Sequence, residues 1–343
     1  MSQRFMFLMG LCVLGVLFLV APQLNAGEPT PGVIDLHVDI SYRSLYQGKA
    51  FTEGSGQFRA GDLRAGGISG VVLPLYVPLD AEPEGRGEFQ LERSYAHVFS
   101  SILAAPPYSL PGCGIHRAGG QVRRVETWLA FEGIGSLPTD EATLRNWMVR
   151  GLRIFGLIHT HHNRIGTSSG HRAHGRGLSA SGRETVERIF SLGGVVDISH
   201  SGDETTDSVL SIAEEQGGVV VATHSNARAL APHPRNLTDQ QIRRIAATGG
   251  VVGVNFHQRF LQPADGRASL KDVVDQILYL KKVGGLSLVA IGSDYEGGIR
   301  PAQGLENAGK FPALAEALRE AGLGEDALGQ VFGQNARRVL CRR

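Results

Sequence analysis

Charge of either sign is not in excess in this chain: 34 Lys and Arg against 33 Asp and Glu leave a formal net charge of +1. Such a balance gives no field to gather nucleic acid or an anionic membrane, and neither a basic stripe nor a low-complexity tract is present. The partner is therefore expected to be small. Cysteine is nearly lacking, with three in 343 residues, so at most one disulfide forms within the chain. Long apolar runs stop at Val20, and the stretch from Arg337 to Arg343 is too polar to be a C-terminal anchor signal. What is present is 42% hydrophobic and 20% charged residues, the composition of a globular protein with interior enough for one large core.

The N-terminal segment stands apart. Arg4 precedes an uncharged run from Phe5 to Val20, followed by Pro22 and small residues up to Ala26. This is the pattern of a secretory signal peptide over residues 1–26, although Leu24 is larger than the residue usual three before the cut. The expected product is a single catalytic domain over residues 27–343, secreted or periplasmic and free of the membrane. The alternative is an uncleaved anchor, since the run is not much shorter than the ~20 residues that span a bilayer. Cys12 would leave with the signal, and the mature chain keeps Cys113 and Cys341. An oxidising compartment permits a disulfide between them, but sequence alone cannot say that they meet.

From Gly27 onward one unit recurs: a helix-like stretch, a Gly-Gly pair, then a short apolar strand. The pairs are Gly66-Gly67, Gly193-Gly194, Gly217-Gly218, Gly249-Gly250 and Gly284-Gly285, each where a helix stops and a strand begins. Because they precede strands, they sit at the wrong end of a barrel to cradle a phosphate. Helix starts carry capping-box or related spacing at Ser181 with Glu184, Thr238 with Gln241 and Ser269 with Asp272. Apolar runs predict eight strands, near 33–38, 69–76, 127–131, 152–158, 194–199, 218–223, 250–256 and 287–293. Several are continuous Val/Ile/Leu runs, as in parallel strands buried on both faces. Eight such strands alternating with helices predict an α/β fold, a (β/α)8 TIM barrel, with a doubly wound open sheet as competitor.

The polar residues favour the barrel. In a barrel the chemistry gathers at the C-terminal ends of the strands. Here the predicted strands end in His37 and Asp39, Glu132, His159, His200, His224, Asn255 with His257, and Asp294. A lone His at a strand end is more often a hydrogen-bonded core residue than a ligand; the shared position carries the inference. His37 and Asp39 are two apart, so they project to one side of the first strand. With Glu132, His200 and His224 they suit two zinc ions, Glu132 bridging them through its two oxygens. A metal-activated water is then the nucleophile, and Asp294 takes its proton and returns it to the leaving group. Asp35 and Asp197 either orient ligand imidazoles or are hydrogen-bonded within the barrel. His161, His162, His171 and His174 are expected in a polar loop over the site rather than in a metal trap.

These residues resemble the membrane dipeptidase (renal dipeptidase) family, zinc metallopeptidases on an amidohydrolase-like barrel. The resemblance runs in order through Ile34-Asp-Leu-His37-Val-Asp39, Gln57 to Gly67, Phe131-Glu132-Gly133, Leu152 to His159 and Gly177 to Arg183. It continues through Val196-Asp-Ile-Ser-His200, Thr223-His224-Ser225 with Ala227 to Leu230, Pro234 to Leu237 and Ala290-Ile-Gly-Ser-Asp294. It implies one zinc held by His37, Asp39 and Glu132, and a second by Glu132, His200 and His224. It also implies that His159 contacts the scissile carbonyl and its oxyanion, that Arg235 clamps the substrate's free carboxylate, and that Asp294 is the base. The implied substrate is a small dipeptide with free termini, including D residues at its C-terminal side. A homodimer is compatible with this reading.

Departures concern the pocket rather than the ligands. Val38 stands between His37 and Asp39 where the family has Asn, Ile40-Ser41 replace Leu-Pro, and His257 replaces an aromatic or Asn. The stretch from Ala81 to Gln121 follows no family pattern. A binuclear-metal hydrolase of another small amide, lactone or phosphoester is one alternative, and a non-catalytic metal-containing binding barrel another. Asp294 argues against the latter, since binding needs no base.

Overall fold

A computed structural model describes residues 32–52, 56–76, 86–104, 106–110, 113, 124–170, 176–261 and 267–342. The expected signal segment, His171, His174 and part of the 81–121 stretch lie outside the described residues. All eight predicted strands form: β1 (Val33–Asp35), β2 (Ile68–Tyr76), β4 (Val125–Glu132), β5 (Leu152–Gly156), β6 (Val195–Asp197), β7 (Val219–Val221), β8 (Val252–Val254) and β9 (Val289–Ile291). A short strand not foreseen from sequence, β3 (Tyr108–Ser109), adds to the start of β4.

Every pairing is parallel, in the order β7-β6-β5-β4-β2-β1-β9-β8. A bridge between Ala222 and Val252 joins the two ends, with Gly253 N donating to Ala222 O at 2.8 Å and Ala222 N to Val251 O at 3.0 Å. That closure decides against the open sheet. The sequence reason is visible in β4, where Val-Glu-Thr-Trp-Leu-Ala-Phe-Glu is buried throughout, as a parallel strand covered on both faces must be.

Alternate strand residues fall into two separate apolar clusters. The larger joins Val71, Leu73, Leu129, Phe131 and Val196 to the helices outside. The smaller takes Ile34, Val72, Trp128, Ala130, Ile154 and Val195 from the other side and fills the barrel's inside. Ala336, Val339 and Leu340 join this inner cluster from the helix Asn335–Leu340, where their spacing of three and four puts them on one face. Two further bonds tie this helix down. Arg337 Nη2 lies 2.5 Å from Glu126 Oε2, and Cys341 forms a disulfide with Cys113, 228 residues away, with Cα atoms 5.3 Å apart.

Two of the predicted helix starts hold. Thr238 and Gln241 form a capping box ahead of the helix Asp239–Ala247, and Ser269 N donates to Asp272 Oδ2 at 2.7 Å ahead of Leu270–Gly284. The third start shifts. The helix Ala180–Ser191 is capped by Ser179, whose hydroxyl accepts from Gly182 N at 2.9 Å and donates to Arg164 O at 2.6 Å, so Ser181 lies inside the first turn. Helix stops follow the Gly-Gly pairs; Gly217 closes Asp203–Gln216 in the left-handed region at φ 69°, which a residue with a Cβ adopts at a cost. Among the described residues no helix is long and apolar enough to cross a membrane.

Candidate metal centre

Glu132, the last residue of β4, occupies the middle of the site. Its Oε1 lies 3.1 Å from His200 Nε2, 3.5 Å from His37 Nε2, 3.7 Å from His159 Nε2 and 3.8 Å from His224 Nε2. Those four imidazoles follow the neighbouring strands β5, β6 and β7 and, on the other side of β4, β1, so strand ends at one rim deliver them to one carboxylate. Asp39 Oδ2 is 3.6 Å from His37 Nε2. Three sets of ligand atoms lie within 4.8 Å of one another: His37, Glu132 and His224; Glu132, His159 and His200; His37, Asp39 and Asp294. All five predicted metal ligands are thus brought together, with His159 and Asp294 beside them.

The donor set fits metal ions. His37 Nε2 is buried with no hydrogen-bond partner among the described residues, a cost of about 1–3 kcal/mol for a polar atom left so. Burial, together with the Arg235 charge, pushes the His37 and His159 imidazoles down to about 3, and His200 and His224 lie well below the usual imidazole range for the same first reason. Neutral imidazoles keep a lone pair for a cation. Burial also raises the carboxyls, Glu132 to about 8 with help from Asp294, and Asp39 well above its usual value with help from Glu132. Crowded acids and neutral imidazoles around one point are the electrostatics of a site completed by positive charge.

The two strand aspartates differ in what they do. Asp197 Oδ2 accepts from Thr223 Oγ1 at 2.5 Å, and Thr223 Oγ1 lies 2.9 Å from His224 Nδ1 and 3.4 Å from His37 Nδ1. With its proton given to Asp197, the Thr223 hydroxyl can only accept, so His224 carries its proton on Nδ1 and turns the Nε2 lone pair inward. Asp197 therefore orients the His224 imidazole through Thr223. Asp35 instead accepts from the backbone amides of His37 at 3.2 Å and Ser293 at 2.9 Å, holding chain rather than imidazole. Thr223 appears in the matched Thr223-His224-Ser225 segment without a role of its own, because a Thr before a His in an apolar strand carries no signal by itself.

Asp294 and His200 both take left-handed backbone, at φ 66° and 68°. Such positions persist only where their surroundings hold them. Asp294 N donates to His37 O at 3.1 Å, and Asn255 Nδ2 donates to Asp294 Oδ2 at 2.9 Å, a partner that sequence reading left without a role. Burial raises the Asp294 carboxyl to about 7, against the lowering effects of Asn255 and Arg235.

Arg235 is buried without a carboxylate ion pair among the described residues. Its Nη1 donates to Ser225 Oγ at 3.2 Å, its Nη2 to His224 O at 3.3 Å, and its Nε has no partner. Near the same wall, His257 sets its ring edge-on to Phe260 at 4.8 Å. Tyr76, at the end of β2, meets His159 edge-on at 4.6 Å, a neighbour that the sequence did not point to. His162 Nδ1 accepts from Ser168 N at 2.8 Å, an ordering contact within its loop.

Comparison with known proteins agrees with this geometry. Dipeptidase aclJ of Aspergillus oryzae is 30% identical over 291 residues, covering 81% of this chain and 68% of its own. An uncharacterized dipeptidase of Schizosaccharomyces pombe, C965.12, is 34% identical over 216 residues, and this chain spans about half of that protein's length, 51%. Among solved structures, a metallopeptidase from Rhodobacter sphaeroides, determined with a phosphinate mimic of the dipeptide L-Ala-D-Ala, superposes with a TM-score of 0.78 at 25% identity, covering 91% of this chain and 99% of its own. Dipeptidase AC, a metallopeptidase of family M19, gives 0.79 at 26% identity, with 91% and 98% covered. The membrane dipeptidase family pattern matches residues 29–342, and this chain belongs to that family of metallo-dipeptidases, peptidase family M19.

Proposed function

We propose that this chain is an exported dizinc dipeptidase that hydrolyses dipeptides with both termini free, including those with a D residue at the C-terminal side. The observation that carries the reading is the convergence of four imidazole nitrogens within 3.8 Å of one oxygen of Glu132. His37, Asp39 and Glu132 would hold one zinc and Glu132, His200 and His224 the other. When bound, the two ions polarise the scissile carbonyl and make water acidic enough to attack near neutral pH.

The remaining work falls to this chain's own side chains. Arg235 receives the substrate's C-terminal carboxylate, because a buried guanidinium lacking an acidic partner gains most from a ligand that brings one. His159 donates to the oxygen that gains charge as the peptide bond breaks. Asp294, held by Asn255 and raised to about 7, is suited to accept a proton from water and pass it to the leaving amine. The D-residue expectation draws support from the L-Ala-D-Ala mimic bound by the Rhodobacter relative.

A panel of dipeptides, their amidated and acetylated forms, small lactones and phosphoesters, assayed with zinc-loaded protein, tests the reading. Turnover confined to dipeptides with free termini is expected; turnover of lactones or phosphoesters alone would replace it. Export is tested by expressing the full chain in a bacterium and sequencing the N-terminus of the product. Periplasmic or secreted protein beginning at Gly27 is expected, and full-length protein held in the membrane fraction would favour an anchor instead.

A further inference from the structure

The turn that carries Asp294 is held from outside the metal centre. Asp294 and Glu296 are both left-handed, at φ 66° and 70°, and Gly298 follows at 74°. Two of these residues bear a Cβ, so the turn needs external support. It is also pressed against the carboxyl groups: a Cβ at Gly297 would lie 2.6 Å from Asp39 Oδ2 and 2.7 Å from Asp294 Oδ1. The turn therefore has little room to shift without moving both acids.

The support comes through Glu296. Its Oε1 lies 2.5 Å from Arg43 Nη1 and accepts from Phe58 N at 2.7 Å, while its backbone N donates to Gln57 Oε1 at 2.8 Å. Both side chains of the pair are buried, at 1% and 6% exposure, so the interaction is little weakened by solvent. Arg43 is fixed in turn, with Nη2 donating to Ala50 O at 3.2 Å and Phe51 O at 3.4 Å. Arg43 belongs to the helix Ile40–Gln47, and its backbone N donates at 3.0 Å to the carbonyl of Asp39, which heads that helix. The ion pair thus ties the helix that starts at Asp39 to the turn that starts at Asp294.

We infer that Arg43 and Glu296 are positioning residues, which set the Asp294 carboxyl against Asp39 and the substrate. The inference rests on the base role proposed for Asp294. Neither side chain is among those proposed to touch substrate. Glu296 adds a negative charge near Asp39 and Arg43 balances it, so the two act as a unit.

The test compares Glu296→Gln, Arg43→Met and the double variant, each in the natural and the Asp294→Asn background, by steady-state kinetics on one dipeptide, zinc content and thermal stability. Glu296→Gln is expected to lower kcat by about 10- to 100-fold, the scale that roughly an ångström of misplacement produces, with KM and zinc content retained. In the Asp294→Asn background it should lower kcat no further, because no base remains to be misplaced. Arg43→Met strands a buried carboxylate and is expected to be the least stable; the double variant removes both charges and keeps the comparison in a folded protein. An equal fractional loss in both backgrounds would make the pair a support of the fold only, and unchanged kcat in a folded Glu296→Gln protein would overturn the inference outright. Full activity of Asp294→Asn by itself would remove the base reading and this inference together, a result distinct from a catalytic Asp294 that is indifferent to Glu296.

Discussion

His200 Nε2 faces His224 Nε2 across 2.9 Å, with Glu132 Oε1 within 3.8 Å of both. Thr223 Oγ1 donates to Asp197 and accepts from the His224 Nδ1 proton, so the Nε2 lone pair points into this gap. A cation held by both imidazoles would relieve the crowding. The zinc-reconstituted protein should therefore hold about two ions per chain by elemental analysis, as a two-metal centre requires. Glu132→Gln should loosen them far more than Asp35→Asn, because Asp35 accepts from the His37 and Ser293 backbone amides rather than from an imidazole. Thr223→Val should weaken zinc binding by about 10- to 100-fold, the usual effect of losing a ligand's orienting partner. Zinc binding unchanged in Thr223→Val would show that Asp197 does not act through it.

The roles proposed for Asp294 in chemistry and for Arg235 in recognition can be tested separately. Asp294→Asn should lower kcat by roughly 100-fold or more, the scale of general acid–base catalysis, with zinc content unchanged. Arg235→Ala should raise KM, and lower kcat as well where the loosened substrate loses its attack geometry. An amidated dipeptide removes the same contact from the other side. It should be a poor substrate for the natural protein and lose little more with Arg235→Ala; independent losses would show that Arg235 does not hold the carboxylate.

The metal-free protein should be less stable at alkaline pH. From about pH 7.5, roughly a unit above the ordinary imidazole value, imidazoles are neutral in the folded and the unfolded chain alike, so the buried carboxyls decide the trend. Glu132 is raised from 4.5 to about 8 and Asp294 from 3.8 to about 7, chiefly by burial, and Asp39 shifts the same way. The folded chain then binds more protons than the unfolded one, and stability falls as pH rises from about 7.5 through the folded value of Glu132, about 8. Thermal melts of chelator-treated protein across that window should show a declining midpoint. Zinc-loaded protein should show a flatter profile, because the ions replace the protons that the carboxyls lose.

Breaking the disulfide should affect stability and leave catalysis nearly alone. Cys113–Cys341 closes a long loop and fastens the helix whose Ala336, Val339 and Leu340 fill the inner core, remote from Glu132 in sequence and in packing. Cys341→Ser should cost roughly 2–5 kcal/mol of unfolding free energy, measured by denaturant titration. Turnover per folded molecule should change little; a matching loss of kcat would mean that the inner core transmits strain to the strand ends.

The barrel was legible in the chain because its signals are local. Val/Ile/Leu runs, Gly-Gly pairs and the capping residues at Thr238 and Ser269 each act over a few positions, and eight repeats of one unit leave few architectures. The strand-end position of His37, Glu132, His159, His200, His224 and Asp294 follows from the same local order, since a barrel gathers at one rim whatever its strands carry there. Contacts between distant segments were not legible. Helix capping at Ser179 rather than Ser181 depends on which hydroxyl reaches Gly182 N and Arg164 O. Closure through Ala222 and Val252, the Thr223 link from Asp197 to His224, the pairing of Cys113 with Cys341 and the Arg43–Glu296 ion pair depend on side chains and strands from far-apart stretches arriving at one place. Pattern and propensity fix which face of each segment is buried; only packing decides which atoms then stand within bonding distance, and packing is a property of the whole chain at once.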